Sequence, residues 1–99
     1  MQGIVVRYDY SGDEAAWRAV VDEFVSAILA DPDVRGRFRY TVTVAADDRS
    51  RTHVGRWDSD ETLKTVQSRD YFKTFSEAIQ RFGGDSLAST KMRVAASTD

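Results

Sequence analysis

From Gly3 to Tyr10 the chain alternates, with Ile4, Val6, Tyr8 and Tyr10 on one side and Val5, Arg7 and Asp9 on the other, the period of a half-buried strand. Ser11, Gly12 and Asp13 then supply turn and capping chemistry. After them Trp17, Val20, Val21, Phe24, Val25 and Ile28 recur at helical spacing, so a first helix is predicted, ending before Pro32. Arg37 to Val44 alternates again, Phe38, Tyr40, Val42 and Val44 against Arg37, Arg39, Thr41 and Thr43. Ala46 to Ser50 reads as a hairpin loop and Arg51 to Trp57 as the returning strand. Asp58 and Ser59 can both accept from the free amides of a helix start, with Asp60 and Glu61 adding favourable charge. Leu63, Val66, Tyr71, Phe72, Phe75, Ile79 and Phe82 carry a helical pattern onward to Gly83-Gly84, with a break expected at Ser68-Arg69-Asp70. Thr90 to Ala96 alternates once more and is the predicted fourth strand.

The order βαββαβ predicts an α+β fold, a ferredoxin-like sandwich whose four-stranded antiparallel sheet is covered by helices on one face. At 99 residues the chain is read as one domain, 1–99, with a modest core. Hydrophobic residues at 41%, charged residues at 30% and a net charge of -2 give no overall pull toward nucleic acid or membrane. The absence of cysteine excludes thiolate chemistry, disulfides and zinc ribbons. No apolar run approaches the ~20 residues that span a bilayer, and no leader pattern precedes the first strand, so a cytoplasmic protein is expected.

Trp57-Asp58-Ser59-Asp60-Glu61 followed by Leu63, and then Ser68-Arg69-Asp70-Tyr71-Phe72-Lys73, resembles the antibiotic biosynthesis monooxygenase family. The resemblance implies a homodimeric α/β barrel in which the open sheet faces of two copies meet across a two-fold axis. Members of that family that oxidise anthrone-type polyketides use neither metal nor flavin. Their substrate is deprotonated and its carbanion delivers electrons to dioxygen in a pocket between sheet and helices. The family places a Trp at the end of the third strand, matched here by Trp57. Where it has Asn, Tyr and Arg, this chain has His53, Leu63 and Glu77, with Arg81 one turn beyond. The haem-degrading relatives need a helical His, and the lone histidine here falls on a strand, so haem is not expected.

His53, Gly55 and Trp57 share one strand face with the small residue in the middle, which makes a notch. In the functional reading a flat ligand lies over Gly55 and stacks on Trp57. His53 is then the catalytic base or hydrogen-bonding group, Tyr8 or Tyr40 presents a phenol, and Leu63 completes the wall. In the alternative reading Trp57 fills the core and His53 is a satisfied structural histidine. The opposite face is expected to carry Arg7, Arg37, Arg39, Arg56, Lys91 and Arg93 against Asp9 alone. That excess implies a salt-sensitive dimer interface or an anion site; nucleic acid is not the expected partner, because the face lacks stacking aromatics. The scattered carboxylates do not converge as metal ligands, so no metal or other cofactor is expected. The sequence thus points to a cofactor-independent monooxygenase of a flat aromatic or quinol-type molecule. The alternative is a non-catalytic dimeric α/β-barrel module that binds a small ligand, a partner or an anionic backbone.

Overall fold

The first strand, β1 (Gln2–Asp9), lies inside the sheet because both of its edges are paired antiparallel. In the computed structural model, which describes residues 1–99, the elements that follow are α1 (Glu14–Ala30), β2 (Phe38–Val44), β3 (Ser50–Trp57), α2 (Asp60–Gln67), α3 (Asp70–Gly83) and β4 (Ala88–Arg93). The strands are ordered β2-β3-β1-β4, the ferredoxin-like arrangement the pattern predicts. A single turn of 3-10 helix, Gly84–Ser86, leads into β4.

Local chemistry sets the boundaries. The Asp13 carboxylate accepts from the amides of Ala15 and Ala16 at 2.9 and 3.3 Å and opens α1. Asp31 closes α1 in an extended conformation ahead of Pro32. At the β2–β3 hairpin the Asp47 carboxylate accepts from the amides of Arg49 and Ser50, and Asp48 takes the left-handed turn position with φ 60°. Ser59 caps α2 through the Thr62 amide, while Asp58 accepts from the Thr62 hydroxyl. The expected break falls between α2 and α3, where Arg69 pairs with Asp31 at 3.0 Å and ties the helix junction to the end of α1.

α1 and α3 lie together over one sheet face and bury Trp17, Val21, Phe24, Ile28, Phe75 and Ile79. Phe24 and Phe75 stack with ring centroids 3.9 Å apart. Each ring removed from water in this way contributes about 1.5–3 kcal/mol. The other sheet face has no helix over it. On that face Gly3 is buried, since a Cβ there would meet Met92 Cε at 2.7 Å.

β4 departs from its predicted phase. Pairing with β1 sets Lys91 opposite Ile4, and Met92 opposite Gly3. Ser89, Lys91 and Arg93 therefore share the helix-covered face, and Met92 belongs to the open one. The pattern misled because the open face is itself partly apolar, carrying Val5, Val54 and Met92. Alternation fixes a period but not which side is covered. Within the strands, the cations of the open face reduce to Arg7, Arg39 and Arg56. Arg39 and Arg56 are paired with the Asp99 carboxylate at 2.5 and 3.0 Å.

Candidate functional site

The helix-covered face is built of cross-strand rows. One runs Lys91–Ile4–Gly55–Tyr40, the next on one side Arg93–Gln2–Trp57–Phe38, and the next on the other Ser89–Val6–His53–Val42. Between these rows and the helices α2 and α3 lies a cleft of about 310 Å³. Its sheet wall includes Ile4, Val6, Phe38, Tyr40 and Trp57, and its helix wall includes Leu63, Phe72, Phe75 and Ile79. The volume falls at the lower end of small-molecule sites, and the lining is mostly apolar with a few polar groups, the composition such sites share.

Tyr40, Trp57 and Leu63 thus line the cleft as the sequence suggests. The notch over Gly55 does not exist, because the Tyr40 ring occupies it. A Cβ at Gly55 would lie 3.1 Å from Tyr40 Cδ1, so the glycine exists to seat its cross-strand partner. Tyr8 and His53 are not in the cleft wall. Tyr8 is 3% exposed and His53 is completely buried, one layer behind Tyr40.

These buried groups are joined in a chain. Trp17 Nε1 donates to Tyr8 Oη at 2.8 Å, Tyr8 Oη meets His53 Nε2 at 2.8 Å, and His53 Nδ1 meets Tyr40 Oη at 2.8 Å. Burial pushes the His53 imidazole down to about 4 and raises the pKa of both phenols, most strongly that of Tyr40. At neutral pH every member is uncharged. His53 thus protonates well below the near-neutral titration of a free imidazole, because nothing anionic touches the ring to offset its desolvation.

A neutral chain still has a direction. The indole N–H can only donate, and a neutral imidazole has one N–H and one acceptor nitrogen. If the proton were on Nε2, Tyr8 Oη would accept twice and its own hydrogen would be stranded in the interior. With the proton on Nδ1, Tyr8 donates to Nε2 and Nδ1 donates to Tyr40, leaving the Tyr40 hydrogen as the one without a protein acceptor. Stranding a donor costs about 1–3 kcal/mol where nothing can meet it. Tyr8 is deeply buried and Tyr40 borders the cleft, so the second arrangement is favoured. The chain thus leaves the Tyr40 hydroxyl as its one donor without a protein acceptor, on a residue that lines the cleft.

Trp57 carries a second donor without a partner. It is 7% exposed and stacks on Phe38 with rings nearly parallel at 6.0 Å, yet its Nε1 is buried without a partner. It is core and cleft wall at once. Trp17 and Lys91 were the participants that sequence reasoning missed. Trp17 reads there as one more apolar position of α1, and only the packing of α1 on β1 brings its N–H to Tyr8. Beneath them the Arg51 guanidinium, 3% exposed, lies 4.4 Å from the Trp17 ring and bonds Glu14 at 2.7 Å. That contact holds the indole from below.

No known family profile matches this chain, and no curated protein matches it in sequence. Solved structures do. Rv0793 from Mycobacterium tuberculosis aligns at 16% identity with a TM-score of 0.77, covering 99% of this chain and 98% of that one. SnoaB, a cofactor-independent oxygenase from Streptomyces nogalater, aligns at 15% identity with a TM-score of 0.74, over 98% of this chain and 95% of its own. An antibiotic biosynthesis monooxygenase aligns at 12% identity and TM-score 0.75, over 97% and 100%. The chain therefore has the fold of the antibiotic biosynthesis monooxygenase-like proteins.

Proposed function

We propose that this protein is a cofactor-independent monooxygenase acting on a flat aromatic or quinol-type small molecule. The observation that carries the reading is the aromatic-walled cleft lined by Tyr40, whose hydroxyl ends a neutral, buried hydrogen-bond chain. A ligand lying against Trp57 and Phe75 with a carbonyl or phenol oxygen near Tyr40 would have its enolate form stabilised by that donor. Loss of a ring C–H proton to water at the cleft mouth then gives the carbanion. Electron transfer and C–O bond formation with dioxygen, followed by loss of water from the hydroperoxide, convert the CH₂ to C=O. One oxygen atom of O₂ enters the product and the other leaves as water.

In this scheme His53 is the hydrogen-bonding group that orients Tyr40, and not the base. Its depressed pKa leaves it a poor proton acceptor, and it has no route to the ligand except through the phenol. The test is oxygen uptake with an anthrone, in the presence of chelator and without flavin, compared with Tyr40→Phe. Uptake that requires added flavin or metal refutes the reading.

A non-catalytic ligand-binding module is the second reading. It is favoured by one observation: no carboxylate and no titrating imidazole lines the cleft to take a proton. Tight ligand binding without oxygen uptake decides for it. In either case we propose that the open sheet face pairs with a second copy of the chain, because Val5, Val54 and Met92 lie on a face that no helix covers.

A further inference from the structure

The cleft wall contains a single charged side chain. Lys91 stands on β4 at the end of the row Lys91–Ile4–Gly55–Tyr40, and every other polar residue of the lining, Gln67, Ser76, Gln80 and Ser89, is neutral. No carboxylate is within ion-pairing distance of its ammonium. On this row Gly55 is roofed by the Tyr40 ring, so the open floor lies over Ile4, with the phenol at one end and the lysine at the other. Neighbouring strands are ~4.8 Å apart, so β4 stands ~10 Å from β3, where the Tyr40 hydroxyl meets His53, about the length of a fused aromatic skeleton. We infer that the cleft selects flat aromatic ligands that carry a carboxylate on the edge facing β4, with Lys91 as the specificity-determining residue.

The inference rests on the reading of the cleft as a ligand site and adds the charge of the ligand. A carboxylate is the anion of choice over a phenol because it is ionised throughout the neutral range, whereas a phenol loses its proton only near pH 10. The apolar wall also argues for an anion held at the mouth and not deeper. There the carboxylate keeps part of its hydration while the rings leave water, so the ion pair avoids the desolvation that a buried pair suffers. Tyr40, at the far end of the row, would face the uncharged carbonyl end of the same molecule, which fixes the orientation of the ligand in the cleft.

The test uses calorimetric titration of the whole protein with two probes, an anthraquinone carboxylate and the carboxamide of the same ring position. A charge-assisted bond at a half-solvated site predicts about a tenfold preference for the carboxylate in the native protein. Lys91→Met should abolish that preference by weakening the carboxylate far more than the carboxamide, and Lys91→Arg should keep most of it. High salt should narrow the gap in the native protein and change nothing in Lys91→Met. Equal binding of the two probes by the native protein, or a preference that survives in Lys91→Met, overturns the inference and leaves the cleft as a ligand site. Failure of both probes to bind, with or without Lys91, would refute the cleft reading itself, and the charge preference with it.

Discussion

A fully buried imidazole with a pKa near 4 makes stability depend on pH in a window where few other groups titrate. In the unfolded chain His53 protonates at about 6.5, and in the folded protein at about 4, because burial penalises the charged ring. Its folded pKa is depressed, so the stabilisation is fully present above pH 6.5 and is lost as pH falls toward the folded value. Each tenfold loss of proton affinity on folding corresponds to ~1.4 kcal/mol, so the loss across the window is about 3 kcal/mol. For a domain of this size that is a fall in Tm of roughly 12–24 °C. Asp31, Asp47 and Asp58 have lowered pKa values from hydrogen bonds they accept, so their contributions are present above the ordinary carboxylate value of 3.8 and are lost only below it. The two windows therefore separate. Urea unfolding at intervals from pH 7.5 to 4.5 should show the free energy falling below pH 6.5 at a slope approaching one proton. His53→Gln, which keeps amide donors and acceptors but does not titrate, should flatten that segment while lowering stability at neutral pH. A native protein whose stability stays level between pH 6.5 and 4.5 would refute the burial of His53, and the directional chain built on it.

Other outcomes follow from the same contacts. Trp57→Ala should cost about 3–5 kcal/mol in urea unfolding, as a nearly buried indole stacked on Phe38 is lost, whereas Trp57→Phe should fold and bind carbonyl-bearing aromatics more weakly. Tyr40→Phe should keep its fold and lose ~10²-fold or more of anthrone oxidation, the effect of removing one donor to a developing oxyanion. Sedimentation at micromolar concentration should give about 22 kDa, twice the 11.1 kDa chain, and Val54→Glu on the open face should convert it to monomer. With the strand cations of the open face reduced to Arg7, Arg39 and Arg56, the last two sharing the Asp99 carboxylate, the dimer should respond less to salt than the larger excess read from the sequence implied.

Much of the fold was legible because each element carries its own signal. The alternation of β1 and β2, the Asp13 cap, the Asp47–Ser50 turn and the two glycines at the end of α3 are local, and local signals survive folding unchanged. What was not legible is what depends on phase or on distant packing. The phase of β4 is set by its register with β1, and two partly apolar faces leave alternation unable to choose between them. That one ambiguity moved Lys91 to the wrong side. The fate of Gly55 had a signal that went unused: the hairpin turn at Asp47–Ser50 fixes β2 against β3, which sets Tyr40 directly across from the glycine. His53 and Trp57 were both legible as residues of the right face, but whether a face position touches the cavity or the layer behind it depends on how large its neighbours are, and Tyr40 covers His53.

The burial of His53 also bears on what kind of chemistry the site can support. A cationic imidazole would be the stronger donor to Tyr40, and a partly exposed one the better base, but either needs a compensating carboxylate or water that the surrounding Tyr8, Tyr40 and Phe75 rings do not provide. The chain as built keeps every proton in place, and it ends at the Trp17 indole, which has no acceptor lone pair through which to pass one on. It cannot carry a proton from the cleft to solvent. A protein that binds its ligand with fixed, neutral donors leaves the deprotonation to the substrate's own acidity and to water. Such an arrangement suits molecules whose C–H bond is already acidified by flanking rings and a carbonyl, and it is useless for unactivated ones. Substrates graded by the acidity of that bond should therefore show oxygen uptake that rises with acidity and with pH in step with substrate ionisation, following the substrate's pKa and not any group of the protein. A rate profile that kept one inflection across all substrates would assign the proton to a protein base and return the search to the side chains at the cleft mouth.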